Sequence, residues 1–71
     1  MAVLDKTTKL ALIQNELAGN EQAKYILEVR HRVNKKLGNV EANETVEKEL
    51  VKIEGTIDEL TKILKEEAES K

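Results

Sequence analysis

The side chains that could bind a metal ion are few. Glu28 and His31 form a Glu-x-x-His pair, the spacing that places a carboxylate and an imidazole on one helix face in di-metal helix bundles. Such a centre needs a second pair and two further inward-facing glutamates. His31 is the only histidine, and the sequence has no cysteine. We therefore interpret His31 as a solvated side chain on a polar helix face, and we predict no metal site.

The sequence also contains few residues that could perform nucleophilic catalysis or bind phosphate. Ser70 is the only serine, and no threonine has a histidine partner that the sequence reveals. Gly19 and Gly38 are isolated and do not form a phosphate-binding loop. The many carboxylates of the last third recur at helical spacing, which is typical of a solvated helix face. The sequence predicts a protein that is not an enzyme and that has no cofactor.

A basic run is the one feature with a serious functional alternative. Residues 20–38 contain five lysines and arginines against two glutamates, a net charge of +3, whereas residues 41–71 contain ten acidic residues against five lysines, a net charge of −5. We predict a partner-binding surface formed by Arg30, Arg32, Lys35 and Lys36, with an acidic protein or a nucleic acid as the partner. The acidic pI near 5.4 and the lack of stacking aromatic residues favour a protein. Alternatively, these cations only pair with the acidic last third.

The elements that position these residues are predicted to be helices. The sequence has no proline, and strong helix formers dominate it, which indicates an all-α fold. Asp5 is a candidate N-cap. Gly-Asn pairs at 19–20 and 38–39 each match a C-cap glycine followed by an N-cap asparagine. We therefore predict a single domain over 1–71 with three helices, at about 5–18, 21–37 and 41–68. They would form a helical hairpin plus a long C-terminal helix, in a bundle or a coiled-coil-like assembly.

The second predicted helix has one apolar face. Successive residues 100° apart place Ala23, Ile26, Val29, Val33 and Leu37 together. We predict that this face packs into the core. Arg30 falls inside the same arc, where it either lays its methylene groups on the core or pairs with a carboxylate of the third helix or of a second subunit.

The third predicted helix carries an apolar seam whose spacing alternates between four and three. This heptad spacing indicates a helix that packs lengthwise against another helix. At about 1.5 Å per residue, this helix would span roughly 40 Å, against about 20 and 25 Å for the other two. Because the shorter helices would leave part of the seam exposed, we predict that the seam is a homo-oligomer interface. Its residues are Val46, Leu50, Ile53, Ile57, Leu60 and Leu64.

Together these features predict a non-catalytic protein-interaction or assembly module that self-associates through its C-terminal helix. The composition is typical of small bacterial or phage-encoded adaptors and inhibitors. The alternative is a small nucleic-acid-binding regulator that uses the basic face of the second helix. No apolar stretch is long enough for a membrane span, and nothing resembles a signal peptide, so we predict a cytoplasmic protein without membrane contact.

Overall fold

Two long helices make up the part of the chain that the structure describes. The computed structural model describes residues 4–70, so residues 1–3 and 71 of the predicted domain lie outside it. Helix α1 is Lys6–Leu37, helix α2 is Val40–Glu69, and Gly38 and Asn39 connect them. The helices pack side by side as an antiparallel hairpin, 52 Å long and 18 × 16 Å in cross-section.

The prediction of three helices is wrong, because α1 continues through the Gly19-Asn20 pair. Among the described residues only Gly38 has a positive φ, so Gly19 keeps ordinary helical geometry. The Asn20 side chain does not cap a new helix; its Nδ2 donates a hydrogen bond to the Glu16 carbonyl at 2.9 Å. A glycine inside a helix costs about 1 kcal/mol relative to alanine. That cost is too small to end a helix whose two flanks pack on the same neighbour.

The second Gly-Asn pair does end a helix, as predicted. Gly38 is left-handed, with φ 73° and ψ 23°. Its N–H bonds to the Lys35 carbonyl, and the Asn39 N–H bonds to the Asn34 carbonyl at 2.9 Å, which is the Schellman pattern of a helix C-terminus. The predicted N-cap is also confirmed: the Asp5 carboxylate accepts a hydrogen bond from the Thr8 N–H at 2.7 Å.

The contact between the helices follows a heptad on both sides. The less exposed residues of α1, apart from Ala23, are Leu10, Ile13, Leu17, Asn20, Lys24, Leu27, His31 and Asn34. Those of α2 are Asn43, Val46, Leu50, Ile53, Ile57, Leu60, Leu64 and Glu67. Contacts of Lys9 with Glu67 (3.8 Å) and of His31 with Glu47 (3.3 Å) set one register along the hairpin. Among residues 4–70 only Leu27 and Val46 are buried. The core is therefore a single thin seam.

The predicted core face of the second helix lies outside the seam between the helices. Ile26, Val29, Val33 and Leu37 are 51, 44, 49 and 68% exposed. The reason is the continuity of α1. Leu10, Ile13 and Leu17 are half-buried in the seam, and their heptad phase carries on through the rest of the helix. The phase places Asn20, Lys24, His31 and Asn34 in the seam and leaves the larger apolar arc outside.

The predicted mismatch in helix length is also absent. Helix α1 has 32 residues and α2 has 30, so at about 1.5 Å per residue each spans roughly 45 Å. Helix α1 therefore runs alongside the whole apolar seam of α2. In the part of the chain that the structure describes, neither helix has the long apolar stretch that crossing a membrane requires.

Candidate interaction surface

His31 lies in the hairpin seam and not on a solvated polar face. Its Nε2 is 3.3 Å from the Glu47 Oε1 on α2, and its side chain is 34% exposed. Glu28 is exposed. Within residues 4–70 no three histidine or carboxylate side chains come together in a way that could hold a metal ion. Within the described residues His31 therefore serves as a polar link between the two helices.

The predicted oligomer interface lies against α1 of the same chain. Val46 is buried and the other five seam residues of α2 are half-buried, because they occupy the face of α2 that packs on α1. Their role in an oligomer stays a prediction. Because α1 is as long as the apolar seam of α2 requires, a difference in helix length no longer supports an oligomer interface there.

The four predicted partner-binding cations are all exposed, but they do not share one face. At 100° per residue, Arg32, Lys35 and Lys36 fall within an arc of about 100°, while Arg30 lies on the other side of α1. None of the three forms an ion pair with a carboxylate among residues 4–70, where Lys9 pairs with Glu67 and His31 contacts Glu47. The structure thus brings together a cluster of three cations next to the turn and separates Arg30 from it.

Arg30 instead lines a shallow groove between the helices. On α1 the groove is bordered by Ala23, Ile26 and Arg30, and on α2 by Glu49, Lys52 and Thr56. Leu27 and Ile53, from the hairpin seam, also line it. Arg30 and Glu49 line the same groove, so apolar residues and residues of both charge signs border it.

The most unusual surface is the outer face of α1, which we define as Ile26, Val29, Val33 and Leu37. Four large aliphatic side chains, each 44–68% exposed, follow one another along one side of the helix. Three of these residues belong to a second heptad, rotated away from the hairpin seam, and Val29 flanks it. The members of this heptad are Gly19, Ala23, Ile26, Arg30, Val33 and Leu37, spaced four, three, four, three and four. Helix α1 therefore carries two heptads, of which the hairpin uses one.

The chain exposes more surface than a compact protein of its size. Its accessible area is 5822 Å², whereas a folded monomer of 8.0 kDa typically has about 4,500 Å². Its radius of gyration is 16.2 Å, against about 11 Å for a compact domain of this length. The excess of about 1,300 Å² is larger than the roughly 800 Å² that each partner contributes to a standard protein interface.

Comparison with protein-family models, curated proteins and solved structures finds no match to this chain.

Proposed function

We propose that this protein is a non-catalytic interaction module that self-associates by joining the outer faces of α1 from two hairpins. The observation that carries this proposal is the exposure of Ile26, Val29, Val33 and Leu37 on one side of a regular helix. A contiguous apolar face of this kind is typical of an interaction site. Full burial of one such side chain contributes roughly 1.5–3 kcal/mol, so covering four of them favours association.

The thin core supports a second copy as the partner. A chain of 71 residues without cysteine and with only Leu27 and Val46 buried among residues 4–70 has little internal stabilisation. Small domains of this kind often gain stability by oligomerisation. A dimer would stabilise each hairpin by mass action, and it would form a four-helix, coiled-coil-like assembly. The seam residues of α2 would contribute by holding α1 in place.

Sedimentation equilibrium of matched charge variants tests this proposal. Val33→Glu places a carboxylate on the outer face of α1, next to Arg30 and Lys36 at helical spacing, so the hairpin itself should tolerate it. We expect the wild-type chain to sediment at twice its 8.0 kDa mass at tens of micromolar. Val33→Glu should sediment as a monomer, because dimerisation would remove the new carboxylate from water.

The control variant is Val51→Lys. Val51 is 73% exposed on α2, and it lies beside Glu44 and Glu47, so a lysine there is also compatible with the hairpin. It should sediment like the wild-type chain, and circular dichroism should show the same helix content for all three proteins. A monomeric wild-type chain at high concentration, or equal effects of the two substitutions, would contradict the proposal.

The alternative of a nucleic-acid-binding regulator has lost part of its basis. It assumed two short helices joined by a sharp turn, with the second helix basic, and α1 has no such turn at Gly19-Asn20. The cluster of Arg32, Lys35 and Lys36 remains exposed, so binding of these cations to an acidic protein or to a nucleic acid stays a prediction. The cytoplasmic location also stays a prediction.

A further inference from the structure

Gly19 has no structural role within its own hairpin. It keeps right-handed helical geometry, since the only positive φ among the described residues is that of Gly38. A Cβ added at Gly19 would meet no atom within 4 Å, so no neighbour in the chain needs the missing side chain. Glycine nevertheless lowers helix propensity at this position. A glycine of this kind suits the close approach of another helix.

The second heptad of α1 is graded in size along its length. Its first two members, Gly19 and Ala23, are small, and its last two, Val33 and Leu37, are large. Two copies that run in the same direction would place Leu37 against Leu37 and Gly19 against Gly19. Such a contact would leave a gap at the Gly19 and Ala23 end, which close packing disfavours.

We infer that two copies meet antiparallel along the second heptad of α1, related by a two-fold axis near residue 28. This inference rests on the proposed function and specifies its interface. In this arrangement Gly19 faces Leu37 of the second copy, and Ala23 faces Val33 of the second copy. A small side chain then opposes a large one at each of these levels. The contact is isologous, as a two-fold interface requires.

The remaining levels are compatible with this arrangement. Ile26 faces Arg30 of the second copy. The methylene groups of that Arg30 cover Ile26, while its guanidinium stays on the side of the groove that Arg30 and Glu49 line within one hairpin. Val29 meets Val29 of the second copy close to the axis. Gln22 and Lys36, both exposed, lie at the edge of the contact and oppose each other across it. The turns of the two hairpins point in opposite directions.

Cysteine cross-linking tests the direction of the pairing, because the natural sequence has no cysteine. The variants Gln22→Cys and Lys36→Cys change exposed edge positions only. With a short bismaleimide reagent, each variant alone should stay at its monomer mass on a denaturing gel. An equimolar mixture, equilibrated before the reagent is added, should give a covalent dimer.

The outcomes separate this inference from the proposed function. Strong cross-linking of each variant with itself would show parallel pairing and overturn the antiparallel arrangement. A dimer by sedimentation without cross-linking in the mixture would place the contact elsewhere, for example on α2 of the second copy, and would also overturn it. The first result would leave the proposed pairing of α1 outer faces intact. The second would leave self-association itself but would also overturn the proposed use of the α1 outer faces. A monomer by sedimentation would overturn both proposals.

A pair of glycine variants tests the packing of small against large residues. Gly19→Leu and Gly55→Leu each replace a mid-helix glycine that has open space around it, and both should increase the helix propensity of the monomer. Only Gly19→Leu places a large side chain against Leu37 of the second copy. It should raise the dimer dissociation constant about ten-fold or more, while Gly55→Leu should leave it unchanged. Wild-type affinity in Gly19→Leu would overturn the inferred packing.

Discussion

At the scale of single residues, the polar members of the α1 seam explain why the packing face of α1 could not be predicted from the sequence. Asn20, Lys24, His31 and Asn34 occupy four of the eight seam positions, and a polar residue at such a position normally argues against burial. The thin seam tolerates them because none of the four is fully buried, so Lys24 can extend its amine towards water. The α2 seam is apolar at six positions, and its heptad could therefore be predicted from the sequence.

The N-cap of α1 gives a prediction for pH dependence. Hydrogen bonds from the Thr8 backbone N–H and then from its side chain lower the pKa of Asp5 from its ordinary value of 3.8. The folded state therefore favours the charged carboxylate. This stabilisation is present above pH 3.8 and is lost as the pH falls through the lowered pKa. We expect Asp5→Ala to melt at a lower temperature than the wild-type chain at pH 6, with a smaller difference at pH 2.

Thermal unfolding followed by far-UV circular dichroism between pH 2 and pH 6 measures this difference. Asp5→Asn is the control, because asparagine is also a good N-cap but does not titrate in this range. Asp5→Asn should melt close to the wild-type temperature at pH 6. The difference in melting temperature between Asp5→Asn and Asp5→Ala should be the same at pH 2 as at pH 6. A difference between the wild-type chain and Asp5→Ala that does not change with pH would contradict the assigned role.

At the scale of the elements, two identical Gly-Asn pairs have different structures. The all-α class, the start of α1, the turn at Gly38 and α2 could be predicted from caps and periodicity. The continuity of α1 could not, since it depends on tertiary packing: both flanks of Gly19 bury side chains on α2, whereas the chain must reverse after Leu37 to bring α2 back. Local cap signals do not distinguish these two situations.

Two adjacent residues test the orientation of α1 about its own axis, which decides the face that packs on α2. Leu27 is 7% exposed in the seam, while Ile26 is 51% exposed on the outer face. We expect Leu27→Ala to lower the free energy of unfolding by about 2–3 kcal/mol. At concentrations where the chain is monomeric, Ile26→Ala should lower it by less than about 1 kcal/mol, because most of the side chain already contacts water.

Urea unfolding at two protein concentrations measures both effects. The loss caused by Ile26→Ala should grow at concentrations where the wild-type chain dimerises, because Ile26 then becomes buried. The loss caused by Leu27→Ala should be present at both concentrations. If the two substitutions cost the same in the monomer, the assigned rotation of α1 would be wrong.

At the scale of the whole molecule, the candidate site depends on the fold more than on any motif. The residues of the outer face were recognised in the sequence as an apolar set, but they were assigned to the core. Whether such a set is buried or exposed depends on the phase of α1, and Leu10, Ile13 and Leu17, more than a turn away along the helix, determine that phase. Neither composition nor local spacing contains this information, so the second surface becomes visible only in the hairpin.

The charge distribution gives the last prediction, the salt dependence of the dimer. Antiparallel pairing brings together two α1 segments that each carry a net charge of +3 over residues 20–38. Salt screens this repulsion, so we expect the dissociation constant to fall several-fold between about 20 and 500 mM NaCl. Lys36→Gln should tighten the dimer at low salt and reduce its salt dependence, since Lys36 lies at the edge of the contact.

Contacts between the basic segment of α1 and the acidic α2 of a second copy would weaken with salt instead, as would binding to a nucleic acid. Sedimentation equilibrium at the two salt concentrations distinguishes these cases, and a dimer that dissociates as salt rises would contradict α1-to-α1 pairing.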